Sequence, residues 1–190
     1  MQGKTREALA AAEKALSISQ AAKIRFLAAR VFVEAGELPK AQKLAAGLAS
    51  DILPEPQAYG KIIEGYALLK RGDRGEAIKR FVEANNLLDS WIGHFDLGRA
   101  YVEAGAFAEA TSEFDRCVSR RGETLALFLD EVPTSGYFPP VYYYRGRAEE
   151  GLGSAAAAEF YKKFLSIQDK GDGGIIFQDA TKRLAALTRK

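Results

Sequence analysis

Histidine, tryptophan, cysteine and methionine each occur once in 190 residues, and proline only six times. The lone cysteine, Cys117, excludes an internal disulfide. One histidine and one cysteine need several carboxylates beside them to hold zinc, and none cluster around them in the sequence. Charge is close to balance, with 27 Lys and Arg against 25 Asp and Glu and no block of one sign. The basic stripe of a nucleic-acid-binding chain is therefore missing. No stretch approaches the ~18 apolar residues that a membrane span requires. Residues 1–7 have no apolar core of a secretory leader.

What is abundant is helix-forming. Ala, Leu, Glu, Lys and Arg dominate, and 47% of residues are hydrophobic, enough to bury a core. Glycines punctuate the helical stretches at a near-constant interval. Gly3, Gly36, Gly72 and Gly105 are 33, 36 and 33 residues apart, and Gly153 follows 48 later, one period plus roughly 15 inserted residues. Seven residues before the last four of these glycines stand Ala29, Gly65, Gly98 and Gly146. Five after come Ala8, Ala41, Ala77, Ala110 and Ala158, and four beyond Ala77 and Ala110 come Phe81 and Phe114, followed by Ala84 and Cys117. Paired helices approach closely where side chains are small, an aromatic ring fills the gap, and a glycine with positive φ closes the turn. Each such hairpin has an apolar face that only neighbouring hairpins can bury.

The pattern His94-x₂-Leu97-Gly98-x₂-Tyr101, then Gly105, then Ala110-x₃-Phe114 resembles the tetratricopeptide repeat, with His94 where the family usually has Trp. Weaker copies contain Gly65, Leu68, Gly72 and Ala77-x₃-Phe81; Ala29, Phe32, Gly36 and Ala41; and Tyr142, Gly146 and Gly153. In the last, Ala157-x₃-Tyr161 with Phe164 fits if one turn residue is missing. The resemblance implies an all-α fold, a right-handed α-α superhelix, forming a single domain over residues 1–190. A half repeat spans 3–17, full repeats about 22–55, 58–90, 91–121 and 139–168, an insertion 121–138, and a C-terminal capping helix 174–188. Helices are expected near 5–17, 20–34, 38–50, 57–70, 74–88, 91–104, 107–120, 139–151, 155–168 and 174–188. On the last, Ile176, Ala180, Leu184 and Leu187 recur at helical spacing and Asp179, Lys182 and Arg183 are expected outward.

The resemblance also implies the function of a protein-binding scaffold, with the first helix of each hairpin lining a concave groove. Helical spacing assigns Lys23, Phe26 and Arg30, then Tyr59, Ile62 and Tyr66, then Ile92, Phe95 and Arg99, then Tyr143 and Arg147 to that groove. Arg30, Arg99 and Arg147 would suit a peptide with acidic and apolar residues, or would pair internally with Glu34, Asp96, Glu103 or Glu150. The family's chaperone-tail clamp uses Lys and Asn in the groove, but Asn85 and Asn86 both fall on a second helix. The alternative is a structural or oligomerisation element without a peptide ligand.

Residues 139–165, including Pro139-Pro140-Val141-Tyr142-Tyr143-Tyr144-Arg145-Gly146, are similar to C-terminal repeat segments of some bacterial eukaryotic-like serine/threonine kinases. That similarity implies a module cut from a longer protein. The helix near 5–17 matches only the second half of a hairpin. Its Ala8, Ala12 and Ala15, with Leu9 and Leu16, are expected to leave an apolar edge through which two copies could dimerise.

Other chemistry is scarce. Gly3-Lys4-Thr5 lacks the upstream glycine and strand of a phosphate loop. His94 and Cys117 occupy packing positions, Asp169 and Asp172 lack calcium-loop spacing, and Asp130-Glu131 lie side by side in the insertion. No catalytic residue, metal site or cofactor is assigned. The insertion, with a helical piece expected near 124–129, either is a tolerated surface loop or shapes the groove.

Overall fold

The structure, a computed structural model, describes residues 5–125, 138–167 and 174–189. They form ten α-helices: α1 (Thr5–Ile18), α2 (Ala22–Ala35), α3 (Leu38–Ala49), α4 (Pro54–Lys70), α5 (Arg74–Leu87), α6 (Trp91–Ala104), α7 (Phe107–Ser119), α8 (Phe138–Gly151), α9 (Ala157–Ile167) and α10 (Ile175–Leu187). Successive helices pack in sequential pairs, as the repeat pattern requires. A short 3-10 helix, Arg121–Leu125, follows α7 and overlaps the helical piece expected near 124–129. The rest of the insertion, Gly3, Asp169 and Asp172 lie outside the described residues.

Helix ends fall within a residue or two of the sequence expectation at most boundaries. The largest difference is α4, which starts at Pro54 rather than near 57. The first-turn N–H groups of a helix have no intrahelical partners, so Pro54 and Pro56 fit there without losing a hydrogen bond.

The turn glycines share one conformation and one hydrogen-bond pattern. Gly36, Gly72, Gly105 and Gly153 have φ between 69° and 84°. After α6, Ala106 N–H donates to Tyr101 carbonyl at 2.9 Å and Gly105 N–H to Val102 carbonyl at 3.2 Å. The same pair of bonds recurs at the other three glycines. This closure satisfies the orphan carbonyls of the first helix and aims the chain back along it.

Within each hairpin the small residue meets the ring. A Cβ added at Gly98 would lie 2.6 Å from the Phe114 ring, at Gly65 2.9 Å from Phe81, and at Gly146 2.7 Å from Tyr161. In the first full repeat both positions are small, Ala29 and Ala45, and both are buried. The core runs continuously from α1 to α8. A second cluster joins Tyr142, Tyr143, α9 and α10.

One expectation about α10 is corrected. Ala180 is buried and Ile176, Leu184 and Leu187 pack inward as expected. Asp179 and Arg183 do not point to solvent: they are half-buried, and Arg183 Nε donates to Asp179 at 2.6 Å. Asp179 also accepts from the Tyr143 hydroxyl at 2.7 Å, and Arg183 donates to Glu150 at 3.0 Å. Both residues flank the apolar stripe, so their heads meet polar groups on α8 as the stripe docks. Lys182 is exposed.

His94 is nearly buried and sits between two carboxylates, Glu113 of α7 and Asp89 of the α5–α6 connection. Asp89 in turn accepts from Arg120 at 2.6 Å, and Arg120 holds Glu123 at 2.7 Å. Burial disfavours the imidazolium, but the bonds to Glu113 and Asp89 outweigh it and raise the His94 pKa above its ordinary value. Cys117 is fully buried beside Trp91, whose Nε1 donates to the Cys117 carbonyl at 2.9 Å, and burial pushes its thiol pKa up. It is packed as a small apolar residue and carries no thiolate.

Two predictions follow from this packing. Gly98→Ala gains up to ~1 kcal/mol of helix propensity. The overpacking against Phe114 costs about 1–3 kcal/mol, so we expect net destabilisation in urea. Adding Phe114→Leu is expected to lessen the cost of the Gly98→Ala step; equal costs in both backgrounds would refute the crossing.

A raised native pKa at His94 means that its stabilisation is complete below the unfolded value and fades as pH climbs through the folded value. Wild type is therefore expected to lose stability relative to His94→Gln as the pH is raised from about 6.5 upward. Parallel urea midpoints across that range would rule the charged clamp out.

Candidate functional site

Helices α2, α4, α6, α8 and α10 each touch the next in that series, whereas α3, α5, α7 and α9 make no comparable contacts among the described residues. The first helices therefore lie closer together and form the inner side of the stack. On that side a cleft of about 160 Å³ opens between α4, α6 and α8, lined by Tyr66, Leu69, Lys70, Arg99, Glu103 and Tyr144.

The floor is built on a buried carboxylate. Asp96 is fully buried and accepts from two arginines. Arg30 approaches with both terminal nitrogens, Nη1 toward Oδ2 and Nη2 at 3.3 Å from Oδ1. Arg99 Nη1 donates to Oδ1 at 3.0 Å. The Tyr66 ring centroid is 4.9 Å from Arg30 Cζ and 5.1 Å from Arg99 Cζ, so one ring contacts both guanidinium groups. Arg99 also stands 5.3 Å from the Tyr144 ring. Helices α2, α4, α6 and α8 thus meet through one network of charges and rings.

The rim carries pairs that span neighbouring hairpins. Lys70 binds Glu34 at 2.8 Å, and Arg147 binds Glu103 at 2.7 Å. Both are partly exposed and contribute little stability, about 0–1 kcal/mol each.

Of the residues expected to line the groove, Arg99 and Tyr66 border the cleft, with Tyr66 itself only 2% exposed. Arg30 lies beneath it and Arg147 beside it, through Asp96 and Glu103 respectively. The row Phe26, Ile62, Phe95 and Tyr143, expected as accessible contact area, is in the core instead, exposed by 0%, 0%, 1% and 5%. Tyr59 and Ile92 are buried too, with Tyr59 stacked on Phe26 at 4.6 Å. The reason is that adjacent first helices pack directly on one another, which closes that row, and α10 covers Tyr143. Lys23 is half-buried in the first turn of α2, away from the cleft.

Sequence reasoning missed Leu69, Lys70 and Tyr144, and named Glu103 only as an internal partner for the arginines, as which it holds Arg147. A signal existed for two of them: Lys70 and Glu103 stand one turn beyond Tyr66 and Arg99, two residues before a turn glycine. Nothing in the spacing marks Leu69, or Tyr144 rather than Tyr143.

The N-terminal edge also differs from expectation. Leu9 and Leu16 pack against the core, and Ala12 is buried. The outward side of α1 presents Arg6, Glu13 and Lys14, with Glu13 bound to Lys40 of α3 at 2.7 Å. Of the apolar residues expected at this edge, Ala12 is buried and Ala8, Leu9, Ala15 and Leu16 are half-buried.

No three His, Cys, Asp or Glu side chains gather as a metal set among the described residues, and no described helix is long and apolar enough to cross a membrane.

Asp96→Ala would leave two buried guanidinium groups without their shared carboxylate. We expect a loss of about 3–5 kcal/mol in urea unfolding, and a drop below about 1 kcal/mol would show that Asp96 is not the hub.

No curated protein matches the chain. No catalytic family matches it either. The tetratricopeptide repeat is generally a protein–protein interaction module and typically non-catalytic. Residues 64–123, which run from α4 to the turn after α7, match the tetratricopeptide-repeat family, and the ten described helices pair in sequence as that repeat does.

Proposed function

We propose that this chain binds a partner protein, and that the partner seats a side chain in the cleft between α4, α6 and α8. The observation that carries this reading is the composition of the cleft. Tyr66, Leu69 and Tyr144 supply stiff apolar walls, while Lys70, Arg99 and Glu103 bring hydrogen-bonding heads to its margin. Such a combination favours one anchoring residue and fixes its orientation. The acidic and apolar peptide suggested by the arginine spacing has less support, because Arg30, Arg99 and Arg147 already hold Asp96 and Glu103.

A second reading has one observation in its favour. Ile18, which closes α1 at its connection to α2, and Ile52 and Leu53, on the connection after α3, are exposed by 76%, 91% and 58%. These connections lie at the same end of the hairpins, so a structural element could associate with another copy along that edge.

A photoreactive side chain placed at Lys70 is expected to capture one discrete partner protein in extracts of the source cells. The same group at Lys79, exposed on α5, is expected to capture none. Equal capture from both positions would overturn the cleft reading. Concentration-dependent dimers in light scattering that vanish with Ile52→Ser/Leu53→Ser would favour the second.

A further inference from the structure

We infer that the partner segment presents an acidic and a basic residue side by side around an apolar or aromatic anchor, and that segments of one charge sign are rejected. This rests on the cleft being the binding seat.

The heads around the cleft are of fixed and opposite kinds. Lys70 and Arg99 can only donate hydrogen bonds, whereas the Glu103 carboxylate only accepts. Lys70 and Glu103 belong to neighbouring helices, α4 and α6, at equivalent places two residues before a turn glycine. Both side chains are partly open, Lys70 by 40% and Glu103 by 39%. Each is now matched by a carboxylate or guanidinium from the next hairpin outward, Glu34 and Arg147.

The surrounding charge is nearly neutral. Four cations, Arg30, Lys70, Arg99 and Arg147, face three anions, Glu34, Asp96 and Glu103. No strong positive field is left to draw in an acidic strand.

A purely acidic segment reaching Lys70 would displace Glu34 and lie beside Glu103. A purely basic one reaching Glu103 would displace Arg147 and lie beside Lys70 and Arg99. Either choice sets like charges together in a partly desolvated cleft, which is how an interface rejects a wrong partner. A segment with both signs avoids the conflict. Its carboxylate takes the place of Glu34 at Lys70 and its cation takes the place of Arg147 at Glu103. The displaced Glu34 and Arg147, already 28% and 24% exposed, turn to water. The apolar anchor then sits among Tyr66, Leu69 and Tyr144. On a helix the two charges would be three or four residues apart.

The test is a selection of randomised peptides displayed on phage against the intact chain and three variants: Lys70→Glu, Glu103→Lys, and the two together. All four proteins are first checked for equal thermal melting. Peptides enriched on wild type are expected to carry an acid and a base within one helical turn of an apolar or aromatic residue. Their affinity is expected to fall about tenfold or more on each single variant. The double variant keeps one charge of each sign and is expected to select mixed-charge peptides again, with the order of the charges reversed. Enrichment of purely acidic or purely basic peptides that depend on Lys70 or Glu103 would overturn this inference and leave the cleft as the seat. Peptides that bind all four proteins equally, or a selection that yields no binder, would overturn the cleft reading and this inference with it.

Discussion

Two helices of a hairpin can come together here only because one of them omits a side chain. The Phe114 ring occupies the space that a Cβ at Gly98 would need, and the same exchange holds between Gly65 and Phe81 and between Gly146 and Tyr161. Phe114 then packs near Phe95 and Tyr144, with centroids 6.5 and 6.2 Å away, so a crossing inside one hairpin also sets its contact with the next. Burying a ring of this size is worth about 1.5–3 kcal/mol, more than the ~1 kcal/mol of helix propensity given up at the glycine. The first full repeat reaches the same end with alanine at both positions. Close packing tolerates either solution, provided that the combined volume suits the gap.

The charges on the inner side follow from this closeness. First helices that touch one another leave no room for a wide groove lined by free arginines. Arg30 and Arg99 are drawn to the same buried carboxylate, Asp96, and the Tyr66 ring contacts both guanidinium groups. Removing two cations and an anion from water is costly, and the network recovers that cost through good geometry and ring contacts rather than through net charge. Its consequence for binding is that the arginine-rich inner side is electrostatically almost self-satisfied. Beyond it lies the smaller cleft, where Lys70 and Glu103 are still partly open to solvent.

How much of this was legible varies with the physical cause. The turn glycines were readable because positive φ restricts the residue choice at Gly36, Gly72, Gly105 and Gly153. The crossings were readable because Gly98 and Phe114 must change size together. Even the missing turn residue of the last hairpin could be inferred, and Ala157 rather than Ala158 is the buried alanine there. The candidate site was harder. Helical spacing names Tyr66 and Arg99, which border the cleft, but it gives only the direction of a side chain from its own axis. It says nothing about how near the next axis lies, so Phe26, Ile62 and Phe95 were assigned to an open face that a neighbouring helix in fact covers. Asp179 and Arg183 were set outward for the same reason.

The sequence by itself determined the all-helical architecture, the places where each helix ends and which residues meet inside a hairpin. These depend on local backbone angles and on steric matches at fixed separation, which recur in the chain as a repeated pattern. The tertiary structure decided which polar groups pair with one another and how far each remains open to solvent. Arg30 and Asp96 are 66 residues apart, and Glu103 and Arg147 are 44 apart. No periodic signal links such positions, because their pairing depends on the distance and rotation between whole hairpins, which is set only when the cores of all the repeats close together.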